Sequence, residues 1–245
     1  MMISRNRKSL ALLLDPDKTE GPALADVIKR AVDAGADFIF TGGSLTFNPI
    51  DKLVLEVKKR CSIPVVLFPG NLMQITDKAD YVILPSLISG RNPELLIGNH
   101  VIAAPFLKKI REKVIPAGYI LIGRGTRTSV EYMSNTEPIP PGKPDIAIAT
   151  AIAGELLGMK LIYLEAGSGA ENPVPARVIT AVRGSLTLPL IVGGGMRTAT
   201  AVREAYMAGA DMIVVGNGVE ENCTLLTEAC QVRDNINLKR KEATG

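Results

Sequence analysis

The sequence predicts an α/β protein built as a single (β/α)8 barrel over residues 1–245, modified around its third helix, and three observations carry that expectation. Eight short apolar runs alternate with helix-patterned segments, and such alternation with mostly short connections predicts a parallel sheet wrapped by helices. The runs are rich in β-branched residues and lack polar alternation, as strands buried on both faces do. Eight of them favour a closed barrel over an open doubly wound sheet, and barrels of this length are commonly one domain.

In chain order the predicted strands are Leu10–Leu14, Phe38–Phe40, Val65–Phe68, Tyr81–Leu84, Tyr119–Ile122, Leu161–Leu164, Leu188–Val192 and Met212–Val215. Helical patterning covers Gly21–Ala34, Pro49–Arg60, Ala147–Gly158, Pro175–Val182, Thr198–Met207 and Val219–Leu238. Pro173 and Pro175 mark a helix start, and Gly35, Gly158 and Gly209 mark ends. Asn71–Ala79, where the third helix belongs, is too short for one and predicts an irregular element. Ser86–Asn99 with the apolar Val101–Leu107, and Arg124–Pro144, read as long loops. Pro138, Pro140, Pro141 and Pro144 stiffen the second of these.

Bulk properties narrow the function. With 47% apolar and 22% charged residues the chain can bury a large core, which argues against disorder. A formal charge of +3, with no basic stripe and no interleaved aromatics, counts against nucleic acid; Lys239, Arg240 and Lys241 read as a solvated helix end that leaves room only for transient membrane contact. The uncharged Ile146–Gly154 falls far short of the roughly 20 residues of a membrane span. Cys61, Cys223 and Cys230 show no CxxC spacing, and with no secretory leader they predict reduced thiols in a cytoplasmic protein.

Three glycine-rich segments directly follow the last three strands: Gly167-Ser168-Gly169, Gly193-Gly194-Gly195 and Gly216-Asn217-Gly218. Loops at these strand ends converge on one face of a barrel, where backbone N–H groups can surround a phosphate dianion. Asp15 stands at the end of the first strand, facing the same mouth as Thr41-Gly42-Gly43-Ser44. One carboxylate plus one hydroxyl is a sparse donor set suited to Mg2+, which keeps waters and takes other ligands from substrate phosphates. Asp17 beside Pro16 reads as a turn residue. Strand alternation puts Tyr163 and Glu165 on one face, where Glu165 can reach a hydroxyl of a molecule whose phosphate sits in the glycine loops and Tyr163 can orient it. Arg124 and Arg127 are candidate diphosphate contacts; Arg197 reads as solvated and His100 as structural.

Taken in order, Leu14-Asp15-Pro16-Asp17-Lys18, Thr41-Gly42-Gly43-Ser44, Phe68-Pro69-Gly70, Tyr163–Gly169, Ile191–Gly195 and Val215-Gly216-Asn217 resemble the geranylgeranylglyceryl phosphate synthase family over nearly the whole chain. The resemblance implies a modified barrel that joins sn-glycerol 1-phosphate to a polyprenyl diphosphate, most simply geranylgeranyl diphosphate, through an ether bond with Mg2+. It implies that Asp15 and Ser44 are the magnesium-associated residues. Glycerol 1-phosphate then falls to Tyr163, Leu164, Glu165, Ala166, Gly167, Ser168, Gly169, Gly194, Gly195, Gly216 and Asn217, with Glu165 assisting deprotonation of the attacking hydroxyl. A homo-oligomer is implied too. Some members carry lysine two positions before the first aspartate; Leu13 stands there in this chain, which places it with the LLLDPDK-type branch. The prenyl tail needs an apolar groove, for which the segments after strands three and four, including Leu72, Met73, Ile88 and Val101–Phe106, are candidates, although most of these residues read more simply as core. Two other readings stay open on the residues alone: a phosphate-binding barrel isomerase of a sugar phosphate, and a non-catalytic phosphoglycerol or prenyl-lipid binding protein.

Overall fold

All eight strands form and close into one parallel barrel in the order β1 to β8, with β8 pairing back on β1. This computed structural model describes residues 3–123, 126–216, 218–219 and 222–244, except the side chains of residues 243 and 244. The strands are β1 Ser9–Leu14, β2 Phe38–Thr41, β3 Val65–Leu67, β4 Tyr81–Leu87, β5 Val114–Leu121, β6 Leu161–Glu165, β7 Leu190–Gly193 and β8 Met212–Val215. Alternate strand residues divide the core in two. Ala11, Phe40, Val66, Ile83, Ala117, Tyr163, Ile191 and Met212 fill the barrel interior, while Leu12, Ile39, Leu67, Ile162, Leu164 and Ile213 meet the helix layer.

The described α-helices are α1 Gly21–Ala34, α2 Ile50–Arg60, α3 Asn99–Leu107, α4 Ser129–Ser134, α5 Pro144–Leu156, α6 Ala176–Gly184, α7 Ala199–Ala208 and α8 Leu225–Thr244. After β3 the expected irregular element is a single 3-10 turn, Leu72–Gln74. Three expectations are corrected. Val101–Leu107 lies in α3, entered through a π-helical turn at Glu94–Gly98 and left through a 3-10 segment at Lys108–Lys113; its residues are apolar all the way round, so no stripe betrays the helix. The Arg124–Pro144 loop contains α4. Strand β5 begins at Val114 rather than Tyr119 and runs through Pro116, a residue that cannot donate to a strand ladder. Pairing with β6 starts only at Ala117, so the N–H that Pro116 lacks falls where no partner strand has begun.

The floor of the barrel carries a repeat that hydropathy patterning does not reveal. An Ala-Asp pair precedes β2, β4 and β8, and each aspartate exchanges two hydrogen bonds with the preceding strand. Asp37 N–H donates to Leu10 O at 3.0 Å while Leu10 N–H donates to Asp37 Oδ2 at 2.9 Å. Asp80 does the same with Val65, at 2.9 and 2.9 Å, and Asp211 with Leu190, at 2.8 and 3.0 Å. Before β6 the position is Lys160, whose N–H donates to Pro116 O at 2.8 Å; the proline offers no N–H, so no carboxylate is required. Asp211 also pairs with Arg183 at 3.0 Å and with the buried Lys8 at 3.4 Å. Asp211→Ala strands both cations, and we expect it to cost about 3–5 kcal/mol in urea unfolding. A cost below about 1 kcal/mol would contradict the staple.

Candidate active site

The C-terminal strand ends surround a cavity of about 620 Å³ whose walls include Asp15, Ser44, Tyr163, Glu165, Ser168, Gly169, Gly194, Gly195 and Gly216. Both halves of the sequence-predicted site therefore open on one space. On the β1 side, Asp15 forms its own turn: Asp17 N–H donates to its Oδ1 at 3.0 Å, and Lys18 N–H and the Thr19 hydroxyl donate to its carbonyl at 3.1 and 3.0 Å. Burial raises the Asp15 pKa, opposed by the Asp17 N–H and by Lys18. Asp17 is structural, as expected from its turn setting: its carboxylate accepts from the Phe47 and Asn48 N–H groups at 2.7 and 2.8 Å and clasps the loop after β2.

On the opposite side Glu165 ends β6 and is 6% exposed. Its Oε1 accepts from Gly167 N–H at 2.7 Å, and the Tyr163 hydroxyl bonds its carboxylate. Burial outweighs both bonds and lifts its pKa to about 7. The same burial, with the Glu165 charge adding to it, holds the Tyr119 and Tyr163 phenols well above their ordinary range. Beneath the carboxylate lies an aromatic floor: Tyr163 stacks on Phe68 with centroids 5.0 Å apart, and Tyr119 meets the edges of both.

The glycine loops are required by contact. A Cβ on Gly194 would stand 2.2 Å from Glu165 Oε1 and 2.7 Å from the Gly167 peptide, at φ +75. One on Gly193 would stand 2.3 Å from the Tyr163 hydroxyl. Backbone thus closes directly around the carboxylate and the phenol, with no room for a side chain at either glycine.

Other predicted residues fall elsewhere. Leu164 and Ala166 turn their side chains into the helix layer, leaving only their backbone toward the strand ends. Gly167 acts from beneath through its N–H. Arg127 packs its guanidinium 5.4 Å over the Tyr132 ring and lines a neighbouring cavity of about 470 Å³ behind Ser168 and Gly169. Asn217 and Arg124 lie outside the described residues. Arg197 is exposed, as expected, and it also lines the main cavity, as do Lys18 and Leu13. His100 is structural, its Nε2 2.9 Å from the Ser86 hydroxyl. Leu45, Leu87, Leu95 and Met133 form the apolar wall of the cavity; Leu72 and Ile88 pack against the core, as their simpler reading has it, and Met73, Val101 and Ile102 are exposed. Sequence reading also missed Gln74, a buried amide on the 3-10 turn whose hydrogen bonds leave no trace in residue spacing.

Fold and site together define a (β/α)8 barrel enzyme with glycine-rich loops at its late strands, the buried carboxylate of Glu165 beside them and the Asp15 carboxylate on the same cavity. Residues 1–233 match the PcrB family model, and the chain belongs to that family. A geranylgeranylglyceryl phosphate synthase of Spirosoma linguale is 50% identical over 227 residues, covering 92% of this chain and 91% of the relative. One of Korarchaeum cryptofilum is 40% identical over 234 residues, covering 95% and 96%. The crystal structure of (S)-3-O-geranylgeranylglyceryl phosphate synthase from Thermoplasma acidophilum, in complex with its substrate sn-glycerol-1-phosphate, superposes with a TM-score of 0.87 at 32% identity, covering 93% of this chain and 94% of that one.

Proposed function

We propose that the protein is a prenyltransferase that joins sn-glycerol 1-phosphate to a polyprenyl diphosphate, most simply geranylgeranyl diphosphate, and releases pyrophosphate. The observation that carries this reading is Glu165, a buried carboxylate with a pKa of about 7 held against Gly194 and Gly167 of the cradle. A glycerol phosphate seated in the glycine loops brings a hydroxyl to that carboxylate, and a base of this pKa is tuned to accept an alcohol proton near neutrality. The glycerol oxygen forms its bond to the allylic carbon as the carbon–oxygen bond to diphosphate breaks; the proton passes to Glu165 and the electron pair leaves with pyrophosphate. Tyr163, bonded to the same carboxylate, orients it. The apolar wall of Leu45, Leu87, Leu95 and Met133 offers the prenyl tail its path.

The donor set on the β1 side fits Mg2+. Asp15 and Ser44 both line the cavity, and one carboxylate with one hydroxyl suits an ion that draws its remaining ligands from water and phosphate. The burial that raises the Asp15 pKa is relieved by a cation beside it. Bound there, the ion would offset negative charge on the diphosphate leaving group. Arg197 and Lys18, which line the same cavity, add positive charge toward the anionic substrates.

Pyrophosphate release tests the reading. It should require Mg2+, the prenyl diphosphate and sn-glycerol 1-phosphate together. Release that ignores the glycerol phosphate would contradict it, and no release would favour a sugar-phosphate isomerase or a binding protein. The reading extends to a cytoplasmic homo-oligomer. Among the described residues no helix is long and apolar enough to cross a membrane, and α3 exposes Val101, Ile102 and Phe106 to whatever covers them. Light scattering of the purified protein should give a mass at least twice the 26.1 kDa chain; a monomer would overturn this part.

A further inference from the structure

We infer that Gln74 is a positioning residue for the diphosphate side of the site, delivered by the 3-10 turn that replaces the third barrel helix. The inference rests on the reading that the Asp15–Ser44 side takes the metal–diphosphate. Gln74 ends the turn Leu72–Gln74, which Asn71 caps by accepting from Met73 N–H at 2.9 Å. Its side chain projects into the barrel top and is 2% exposed. A buried amide is costly unless it is bonded, and this one spends its bonds on backbone. Oε1 accepts from Gly70 N–H at 3.0 Å and from Gly43 N–H at 3.4 Å, while Nε2 donates to Gly43 O at 2.7 Å. Peptide groups in loops have no ladder to satisfy them, so one side chain supplies the partners for two loops at once.

Those loops are pressed together backbone to backbone. A Cβ on Gly42 would lie 2.0 Å from Phe68 O, and one on Gly70 would lie 2.2 Å from Gly43 O. Gly43 in turn lies against the Asp15 carboxylate, where a Cβ would approach Oδ2 to 3.1 Å, and Ser44 is the next residue. The Gln74 amide therefore holds both peptides that flank Gly43, the residue that lies against Asp15 and precedes Ser44. None of its hydrogen-bond partners belongs to the glycine loops after β6, β7 or β8. A full helix at this point would carry its side chains outward to the sheet face; a single turn lets a glutamine reach across the strand ends.

This geometry separates the two halves of the site, and the test uses that separation. Gln74→Met keeps length and burial but makes none of the three bonds. Gln74→Glu keeps an acceptor for the Gly70 and Gly43 N–H groups and loses the donor to Gly43 O. Each full-length variant is titrated calorimetrically with sn-glycerol 1-phosphate in the absence of metal, and with inorganic pyrophosphate plus Mg2+; melting temperature is recorded alongside. We expect Gln74→Met to weaken Mg2+–pyrophosphate binding about tenfold or more, the scale of one or more lost hydrogen bonds, with glycerol phosphate affinity within about twofold of the parent. Gln74→Glu should fall between parent and Gln74→Met. Equal weakening of both ligands, or no change in either with a lowered melting temperature, would reduce Gln74 to a structural group and overturn the inference. Should Gln74→Met not fold, the same comparison on Gln74→Glu decides. A parent protein that binds no Mg2+–pyrophosphate overturns the prenyl-transfer reading itself, and that result is seen before any variant is tested.

Discussion

Glu165→Gln is expected to lower kcat by about 10²–10⁴-fold, the range for loss of a general base, while sn-glycerol 1-phosphate still binds. The amide oxygen can go on accepting from Gly167 N–H, so the cradle keeps its shape, but the proton of the attacking hydroxyl has nowhere to go. The pH profile gives an independent check. The base is the ionised form, and its pKa is about 7 because burial outweighs the bonds from Gly167 and Tyr163. Parent kcat/KM should therefore rise with pH, inflect near 7 and level off above it, and the inflection should vanish in Glu165→Gln.

Stability moves the other way. The folded-state pKa lies above the ordinary 4.5 of glutamate, so between those values the fold holds a proton that the unfolded chain has released. Glu165 thus leaves the fold most stable below about pH 4.5, and stability declines as pH rises to about 7. The displacement amounts to roughly 3 kcal/mol. Glu165→Gln removes that burden, so at pH 8 the variant should melt higher than the parent. Lower activity joined to higher stability is the signature of a functional group held at a cost. A variant that is both slow and less stable at pH 8 would contradict the assignment.

Asp15→Asn is expected to cost about 10²–10³-fold in kcat, comparable to removal of one electrostatic stabiliser of developing charge. The substitution keeps shape, and the amide oxygen can still accept from Asp17 N–H, so the turn after β1 survives. What disappears is the Asp15 carboxylate charge, while Asp17, which also lines the cavity, stays bonded to the Phe47 and Asn48 N–H groups. The half-saturating Mg2+ concentration should rise and the affinity for sn-glycerol 1-phosphate should not, because the cradle lies across the cavity on β6 to β8. Burial raises the Asp15 pKa, so above its ordinary range the ionised group weakens the fold and the neutral variant should be at least as stable as the parent. Unchanged Mg2+ dependence would remove Asp15 from the metal site.

Much of this was legible in the residues, and the limits have physical causes. Buried parallel strands are short, apolar and β-branched, so the barrel followed from the runs themselves. The period-2 rule paired Tyr163 with Glu165 on the inward face, and Asp15 and the glycine segments could be placed because strand ends of a barrel meet. Other features escaped. Helix α3 has no polar face, so periodicity could not find it. The start of β5 lies upstream of its predicted run and includes Pro116, which is tolerated because it sits where β6 has not yet begun. The apolar cavity wall of Leu45, Leu87, Leu95 and Met133 could not be picked out, since the path of a long loop is set by contacts distant in sequence. Gln74 and the Asp37, Asp80 and Asp211 staples act through backbone groups, and no spacing or composition rule marks a side chain that bonds to a peptide.

The most direct measurement follows radiolabel from sn-glycerol 1-phosphate into organic solvent during incubation of the full-length protein with geranylgeranyl diphosphate and Mg2+. Ether formation predicts extractable label that needs both the diphosphate and the metal and falls sharply in Glu165→Gln and Asp15→Asn. Label that stays in the aqueous phase with geranylgeranyl, shorter and longer donors alike would contradict prenyl transfer as the activity of this site.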